Sequence, residues 1–346
     1  MVNKHNNIKR LIHRSLEELK ACYDVGKAIS MKAAFVTFRA KVDLQIINRH
    51  GYKESHAQTE RLLRKHKIML DFLDKEFKEF WDTYKVPSLC DDDEDLPLRK
   101  KIWICWWQGL ENAPEIVKAC VSSICKNSGD IEVIVITDKN VNQYVQFPKW
   151  LERKRESGII SRTIFSDLLR VNILSRYGGI WIDSTFFCTR PCVKNYVKMP
   201  LWSIKRPNYG HLSVACGFFA NYSLACNYGH RSVFAVIRDM LYYYWEHHDR
   251  LIDYLLTDYV IVLAQKHYRQ IADAFSSILP NNPRCDDLFK VLGDPYDEKI
   301  WADLKKDTSL FKLTWKQTFP KEVDGKKTFY GMLIDNQLVL NQSLLS

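Results

Sequence analysis

The stretch FSDLLRVNILSRYGGIWIDST, Phe165–Thr185, decides the fold. Its first half has apolar side chains at helical spacing, and Gly178 and Gly179 supply a helix end and a tight turn. The segment GIWI that follows has the length and composition of a buried strand. Because aspartate is disfavoured inside strands, we expect Asp183 to lie at the carboxyl end of this one.

Two further apolar segments enclose a helical pattern earlier in the chain. KIWICWW (Lys101–Trp107) and IEVIVITD (Ile131–Asp138) predict buried strands, and Gly109–Gly129 predicts the helix between them. A β-α-β unit of this kind is typical of a parallel sheet with both faces covered. The sequence therefore predicts an α/β fold with a mostly parallel central sheet. More strands are expected at Leu201–Lys205 and Cys216–Asn221, and more helices at His230–His248 and Leu251–Tyr268.

The N-terminal part of the chain differs in character from the rest. Residues 1–95 are predicted to form a helical basic region, and residues 96–346 the main domain. Arg61–Tyr84 has the pattern of an amphipathic helix, for which packing on the main domain is favoured over membrane insertion. The acidic segment CDDDEDLP, Cys90–Pro97, is predicted to be the linker.

Charge and cysteine content restrict the class of protein. The net charge is +10, and the first 85 residues hold 18 Lys and Arg against 11 Asp and Glu. Such an arm suits an anionic membrane surface or nucleic acid, or it merely serves solubility. The interleaved acids and the lack of a recognition motif argue against nucleic acid as a partner. Ten cysteines form no C-x-x-C pair, and no secretory signal or membrane-spanning segment is evident. We expect a cytoplasmic protein, with the inner membrane face as a candidate surface.

Candidate site residues follow the predicted strands, where α/β proteins bind ligands. Trp106 ends the first strand and is either a stacking surface for a nucleotide base or part of the core. Asp167 and Arg170, three residues apart, share one helix face and form either a surface ion pair or part of a site. A carboxylate at the position of Asp183 can hold Mg²⁺ or Mn²⁺ against phosphate groups. Together, the three features favour a site over three unrelated structural roles.

These motifs resemble a known family. SDLLR-x5-RYGGIWID, preceded by WICWWQG and followed by ST, is similar to the capsular polysaccharide synthesis proteins. They belong with a wider group of DXD-type glycosyltransferases that includes yeast mannosyltransferases and clostridial glucosylating toxins. The resemblance is strong from Lys101 to about Trp202 and looser through KLTWK, Lys312–Lys316. It implies a GT-A-like fold and transfer of a hexose from a nucleotide-diphosphate sugar, with retention of anomeric configuration.

The resemblance also implies residue roles. Asp167 and Arg170 match residues that hold the ribose and the donor sugar, Trp106 matches a base-stacking residue, and Asp183 matches the first carboxylate of the DXD motif. Here that motif is Asp183-Ser184-Thr185, so the second carboxylate is missing. A divalent cation, Mn²⁺ or Mg²⁺, is then expected to bind weakly at Asp183, or lysines must balance the diphosphate. The residues predicted to be catalytic are Asp183, Asp167 and Arg170; those predicted to bind the donor are Trp106, Asp167, Arg170, Gly178, Gly179, Asp183, Thr185, Lys312 and Lys316.

Four functions are compatible with parts of the sequence. The leading hypothesis is a glycosyltransferase for capsular or other surface polysaccharide, with a glycan or lipid-linked oligosaccharide as the acceptor. The missing second carboxylate motivates an alternative, a non-catalytic protein that binds sugar nucleotides or glycans. A dinucleotide-dependent oxidoreductase is disfavoured because no G-x-G-x-x-G follows the first strand. Nucleic-acid binding through the basic arm is disfavoured by its mixed charge.

Overall fold

The structure is a computed structural model and describes residues 21–49, 51, 53–88, 98–207 and 209–338. The predicted linker, Cys90–Pro97, and the boundary at residue 95 lie outside the described residues. The helices are α1 (Met31–Arg49), α2 (His56–Glu76), α3 (Lys78–Thr83), α4 (Glu115–Lys126), α5 (Lys149–Glu156), α6 (Arg162–Tyr177), α7 (Val193–Tyr196), α8 (Ser232–His247), α9 (Leu256–His267), α10 (Arg269–Ser276), α11 (Asp287–Val291), α12 (Glu298–Lys305) and α13 (Phe329–Ile334). The strands are β1 (Ile102–Cys105), β2 (Val133–Ile136), β3 (Gly179–Ile182), β4 (Phe186–Cys188), β5 (Leu201–Ser203), β6 (Ser223–Cys226), β7 (Leu310–Lys312), β8 (Glu322–Val323) and β9 (Lys326–Lys327).

A five-stranded sheet in the order β2-β1-β3-β6-β5 forms the centre of the protein. β1 pairs in parallel with β2 and β3, as the β-α-β pattern predicts. β6 runs antiparallel to both of its neighbours, β3 and β5. The sheet is therefore mixed, although β1, β2, β3 and β5 all run in the same direction. The prediction of an α/β fold is confirmed, and β6 is the departure from a parallel sheet.

Alternate residues of the central strands enter two hydrophobic cores. Trp103 of β1 and Trp181 of β3 belong to the core on one face, whereas Ile104 and Ile182 belong to the core on the other. Both faces of the sheet are thus covered, which explains why these strands are continuously apolar in sequence.

The joint between α6 and β3 is fixed by two glycines. Gly178 ends α6 with φ +67°, and Gly179 begins β3 with φ +86°. A Cβ atom on Gly179 would lie 2.5 Å from the carbonyl oxygen of Lys101. Trp103 Nε1 donates to the carbonyl oxygen of Gly178 at 3.0 Å, which holds the joint against β1. The turn predicted from the two glycines is confirmed.

One predicted strand is wrong. The segment Cys216–Asn221 contains no strand, and β6 begins only at Ser223. Cys216 has φ +46° and Gly217 φ +79°, so the backbone turns where an extended conformation was expected. A Cβ on Gly217 would lie 2.0 Å from the carbonyl oxygen of Arg206. The close approach of two backbone segments therefore replaces strand pairing at this point.

A second, two-stranded sheet brings a distant part of the chain to the end of β3. β4 follows Asp183 by three residues and pairs antiparallel with β7, with Phe186 opposite Lys312. Lys312 thereby reaches the carboxyl end of β3, although 129 positions separate it from Asp183.

The N-terminal helices pack on this α/β body. The predicted helix Arg61–Tyr84 forms two helices, α2 and α3, which meet at Phe77. Met69, Leu73, Phe77 and Phe80 belong to the same hydrophobic core as Trp103. The packing interpretation of this helix is confirmed. In the part of the chain that the structure describes, no helix has the length and apolar character to cross a membrane.

Candidate active site

A cavity of about 710 Å³ opens at the carboxyl ends of β1 and β3. The turn before β6, the start of α9 and the segment after β7 complete its wall. Seven of the residues predicted to act on a ligand line it: Trp106, Asp167, Arg170, Asp183, Thr185, Lys312 and Lys316. Gly178 and Gly179 do not line it; they lie at the opposite end of β3 and shape the backbone there.

A line of alternating charges crosses the cavity. Lys312 Nζ donates to Asp183 Oδ2 at 3.1 Å, and Arg170 Nη2 donates to Asp183 Oδ1 at 3.2 Å. Arg170 Nη1 donates in turn to Asp167 Oδ1 at 2.8 Å. Thr257, in the first turn of α9, donates to the second oxygen of Asp167 at 3.1 Å. The ion pair between Asp167 and Arg170 is thus part of a larger network and not an isolated surface contact.

Asp183 is held in one orientation by its neighbours. Its backbone N–H donates to the carbonyl oxygen of Tyr222 at 3.1 Å, which continues the pairing of β3 with β6. Trp181 Nε1 donates to Asp183 Oδ1 at 3.0 Å. Burial alone would raise the pKa of Asp183, but Lys312 and Arg170 outweigh it and hold that pKa below its ordinary value. The carboxylate is therefore charged at neutral pH.

A third carboxylate in the cavity was not found from the sequence. Asp258 of α9 lines the cavity and is 8% exposed. Ser213 Oγ donates to Asp258 Oδ1 at 3.2 Å. Burial, followed by the charge of Asp167, raises the pKa of Asp258 to about 7. Its position inside the apolar run of α9 was the available signal, since an acid among buried residues needs a partner or a function.

Burial also raises the pKa of Asp167, with Arg170 acting in the opposite direction. The cavity therefore contains carboxylates with different environments: the pKa of Asp183 is lowered, whereas those of Asp167 and Asp258 are raised. Carboxylates whose pKa values are shifted in opposite directions are typical of functional sites. A solvated surface carboxylate, in contrast, keeps its ordinary pKa.

Two buried N–H donors of cavity-lining residues have no hydrogen-bond partner among the described residues. They are Arg170 Nε and Trp106 Nε1. Buried donors in native proteins are almost always paired, so each of these two is available to a ligand acceptor. Oxygen atoms of a phosphate or a sugar are acceptors of the required type.

Aromatic side chains form part of the wall. Trp106 meets Trp315 edge to face, with ring centroids 5.8 Å apart. Trp315 is 46% exposed, so part of its surface remains open to a ligand. Trp107 has a structural role, since it is buried and donates through Nε1 to Ser166 Oγ at 2.8 Å. Of the two adjacent tryptophans, Trp106 is thus the one available for stacking.

The residues around Asp183 do not fit a divalent cation held by the protein. Mg²⁺ and Mn²⁺ prefer about six oxygen ligands, whereas this motif offers one carboxylate and the Thr185 hydroxyl. Lys312 Nζ already donates to both, at 3.1 Å to Asp183 Oδ2 and 2.6 Å to Thr185 Oγ1. The described residues contain no group of three His, Cys, Asp or Glu that could hold a metal. An ammonium group therefore lies against the two side chains of this motif that could bind a cation.

Lys316 contributes differently from Lys312. It lines the cavity but is exposed, and its backbone N–H donates to Thr314 Oγ1 at 3.2 Å. The two lysines predicted from KLTWK are thus brought to the same cavity, and Lys312 is the one of the two that donates to Asp183.

The fold is α/β with a mixed five-stranded sheet and is consistent with a glycosyltransferase-like architecture. The chain belongs to the family described as capsular polysaccharide synthesis protein, whose model matches residues 49–333. A segment of 100 residues is 29% identical to an O-glycosyltransferase, braB, of Annulohypoxylon truncatum. The match covers 26% of this chain and 24% of that relative, so the chain spans about a quarter of the relative's length. No solved structure gives a significant match. The predicted family is confirmed, and both comparisons support a glycosyltransferase in general.

Proposed function

We propose that this protein is a GT-A-like glycosyltransferase that transfers a hexose from a nucleotide-diphosphate sugar to a glycan or lipid-linked oligosaccharide. The observation that carries the proposal is the network of Lys312, Asp183, Arg170 and Asp167 inside one cavity. It places two cations beside a carboxylate that orients them, next to aromatic walls. The product belongs to a capsular or other surface polysaccharide, in line with the family.

Each side chain then has a role. Lys312 and Arg170 provide positive charge beside the departing diphosphate, and Asp183 keeps both cations in place. Asp167 accepts a hydrogen bond from a hydroxyl of the donor sugar, and Trp106 stacks on the base. In the transfer itself, the bond between the anomeric carbon and the diphosphate oxygen breaks as the acceptor oxygen bonds to that carbon. The acceptor proton leaves with the diphosphate, and the anomeric configuration is retained.

The divalent cation implied by the family resemblance remains a separate prediction. In the proposed site Lys312 and Arg170 both contact the diphosphate oxygens, so that turnover does not require Mn²⁺ or Mg²⁺. Thr185 supports this arrangement because its hydroxyl accepts a hydrogen bond from Lys312 and so holds the ammonium group near the end of β3.

The first test is a thermal-shift panel of nucleotide diphosphates and nucleotide sugars, run with Mn²⁺ and with EDTA. A ligand at about 100 times its dissociation constant adds about 2.7 kcal/mol to the free energy of unfolding. We expect one nucleotide class to stabilise the wild type under both conditions, and to stabilise Asp183→Ala less. Asp273→Ala, on the exposed face of α10, is the matched control. A shift that needs Mn²⁺ would support the metal and contradict the role of Lys312. If no nucleotide stabilises the protein, the proposal is wrong.

A non-catalytic sugar-nucleotide or glycan-binding protein is the second candidate. The observation that favours it is the replacement of the second DXD carboxylate by Thr185. Release of nucleotide diphosphate from the stabilising donor, followed by chromatography, separates the two functions. Turnover that falls in Asp183→Ala supports the transferase, whereas binding without turnover supports the alternative. The anomer of the product, read by NMR, tests retention.

A further inference from the structure

Helix α1 exposes a row of large apolar side chains. This apolar stripe consists of Met31, Phe35, Phe38 and Val42, which are 76%, 66%, 42% and 39% exposed. Their spacing of four, three and four residues places them on one helix face. Single exposed apolar residues are common in soluble proteins, but a contiguous row along a helix marks an interaction surface.

The opposite face of α1 is already occupied. Ala33, Ala40 and Ile47 are buried, and α1 packs on α2 through this face. Packing of the helix on the body of the protein therefore does not need the stripe. A helix that is apolar on two sides normally has a partner on both.

Basic side chains border the stripe, and no acid is exposed on α1. Lys32 and Arg39 are exposed on one side, and Lys41 lies on the other. The one acid of α1, Asp43, is 4% exposed and accepts two hydrogen bonds from Arg61, at 2.6 and 2.8 Å. These hydrogen bonds hold the pKa of Asp43 below its usual range, so the carboxylate is charged. The guanidinium group of Arg61 neutralises that charge within the protein.

We propose that the apolar stripe of α1 lies in the interface of an anionic lipid bilayer. The apolar side chains enter the boundary between headgroups and acyl chains, and the flanking cations contact the anionic headgroups. A second copy of the chain fits less well. In a symmetric dimer the same patch meets itself, and its basic borders would then face each other.

Helix contacts connect α1 with the helix that contributes to the cavity. α1 packs on α2, and α2 contacts α9, which provides Asp258 to the cavity. The contacts of α1 with α2 and of α2 with α9 thus connect the proposed lipid surface with one wall of the cavity. The stripe contains no cavity residue, so lipid binding can be measured whether or not a sugar is transferred.

The test is co-sedimentation of the full chain with phosphatidylcholine vesicles, with and without 30% phosphatidylglycerol. We expect binding to the anionic vesicles that weakens in high salt. The double variant Phe35→Asp with Phe38→Asp should lose at least tenfold in affinity, because both aromatic rings leave the interface. The double variant Lys32→Ser with Arg39→Ser should lose about tenfold in affinity for the anionic vesicles and none for the phosphatidylcholine vesicles. The control is Leu279→Asp, which changes an apolar residue that is 79% exposed outside the stripe.

Other outcomes would overturn the proposal. One is wild-type protein that ignores anionic vesicles at low salt, and another is equal loss of binding in Leu279→Asp. A concentration-dependent dimer that Phe35→Asp with Phe38→Asp abolishes, seen by light scattering without lipid binding, would assign the stripe to a second copy. Thermal unfolding of each variant shows whether the fold is kept. If the aspartate pair unfolds the protein, Phe35→Ser and the Lys32–Arg39 pair provide the same comparison.

Discussion

Replacement of Lys312 by methionine tests the central electrostatic feature of the site. Methionine retains an unbranched apolar stem of similar length but removes the ammonium group. That group donates to Asp183 Oδ2 at 3.1 Å and to Thr185 Oγ1 at 2.6 Å. In the variant, Asp183 loses one of the two cations that lower its pKa. The expected result is loss of turnover with the fold retained.

The size of the loss follows from the geometry. Unit charges 3.1 Å apart, as between Lys312 and Asp183, attract by about 5 kcal/mol at an effective dielectric constant of 20. Lys312 is 23% exposed, so solvent screens part of this. A hydrogen bond to a charged group is worth about 1.5–3 kcal/mol net, and one missing transition-state donor typically costs about 2.7–4 kcal/mol. We therefore expect kcat/KM to fall about 100-fold, or about 2.7 kcal/mol in activation free energy.

The assay is release of nucleotide diphosphate from the donor identified by thermal shift, measured with EDTA present. Lys290→Met is the matched control, because Lys290 is an exposed lysine of α11 that pairs with Asp287 and does not line the cavity. The fall in kcat/KM should be smaller for Lys316→Met than for Lys312→Met, since no contact joins Lys316 to Asp183 among the described residues. Wild-type rates in Lys312→Met would refute the role given to Lys312. So would a wild-type enzyme that EDTA inactivates and Mn²⁺ restores.

Three further perturbations test other parts of the structure. Thr185→Asp combined with Lys312→Met restores two carboxylates, and its turnover should depend on Mn²⁺; equal rates in EDTA would contradict the interpretation of this motif. Gly179→Ala should cost about 3 kcal/mol and lower the thermal midpoint by about 4 °C, because its Cβ meets backbone at 2.5 Å. At Gly325, which has φ +72°, an added Cβ meets no atom within 4 Å, so Gly325→Ala should lower the free energy of unfolding by only about 1–2 kcal/mol. Equal losses of stability in the two variants would refute the steric argument. The pKa of Asp258 rises from 3.8 to about 7 on folding, so the folded state favours the protonated carboxyl group. Its contribution to the free energy of unfolding is therefore largest below pH 4 and is lost as the pH rises through 7. Asp258→Asn should therefore gain in free energy of unfolding relative to wild type from pH 4 to 7, and a constant difference would contradict the raised pKa.

Local patterns were enough to predict the centre of the fold. β1, β2 and β3 are short apolar runs that end in polar residues, and the two glycines mark the turn between α6 and β3. Asp183 could be placed at a strand end because aspartate does not suit a strand interior. These inferences depend on neighbouring residues alone, which is why the sequence supports them.

Features that depend on close tertiary contacts were less accessible. The turn at Cys216–Asn221 forms because the backbone at Gly217 approaches Arg206, a contact that hydrophobicity does not encode. Lys312 meets Asp183 through the pairing of β4 with β7, in which Phe186 faces Lys312. A register shift of one residue would turn Lys312 to the other face of this small sheet. The resemblance suggested the lysine, but its contact with both Asp183 and Thr185 comes only from the three-dimensional arrangement.

The charge of the cavity bears on the proposed binding of an anionic donor without a metal. Arg170 and Lys312 are balanced by Asp167 and Asp183, and two other lining cations are bound by acids that do not line the cavity, Arg162 by Asp138 and Arg206 by Asp286. Among the cavity-lining residues that the structure describes, Lys316 then remains as one positive charge without an acidic partner. Ionised Asp258 would cancel it, whereas protonated Asp258 leaves the cavity cationic. A carboxyl group with a pKa of about 7 in this position thus determines whether the cavity is cationic or neutral near neutral pH. A nucleotide-diphosphate sugar keeps the same charge across that range, so its affinity should follow the protonation of Asp258.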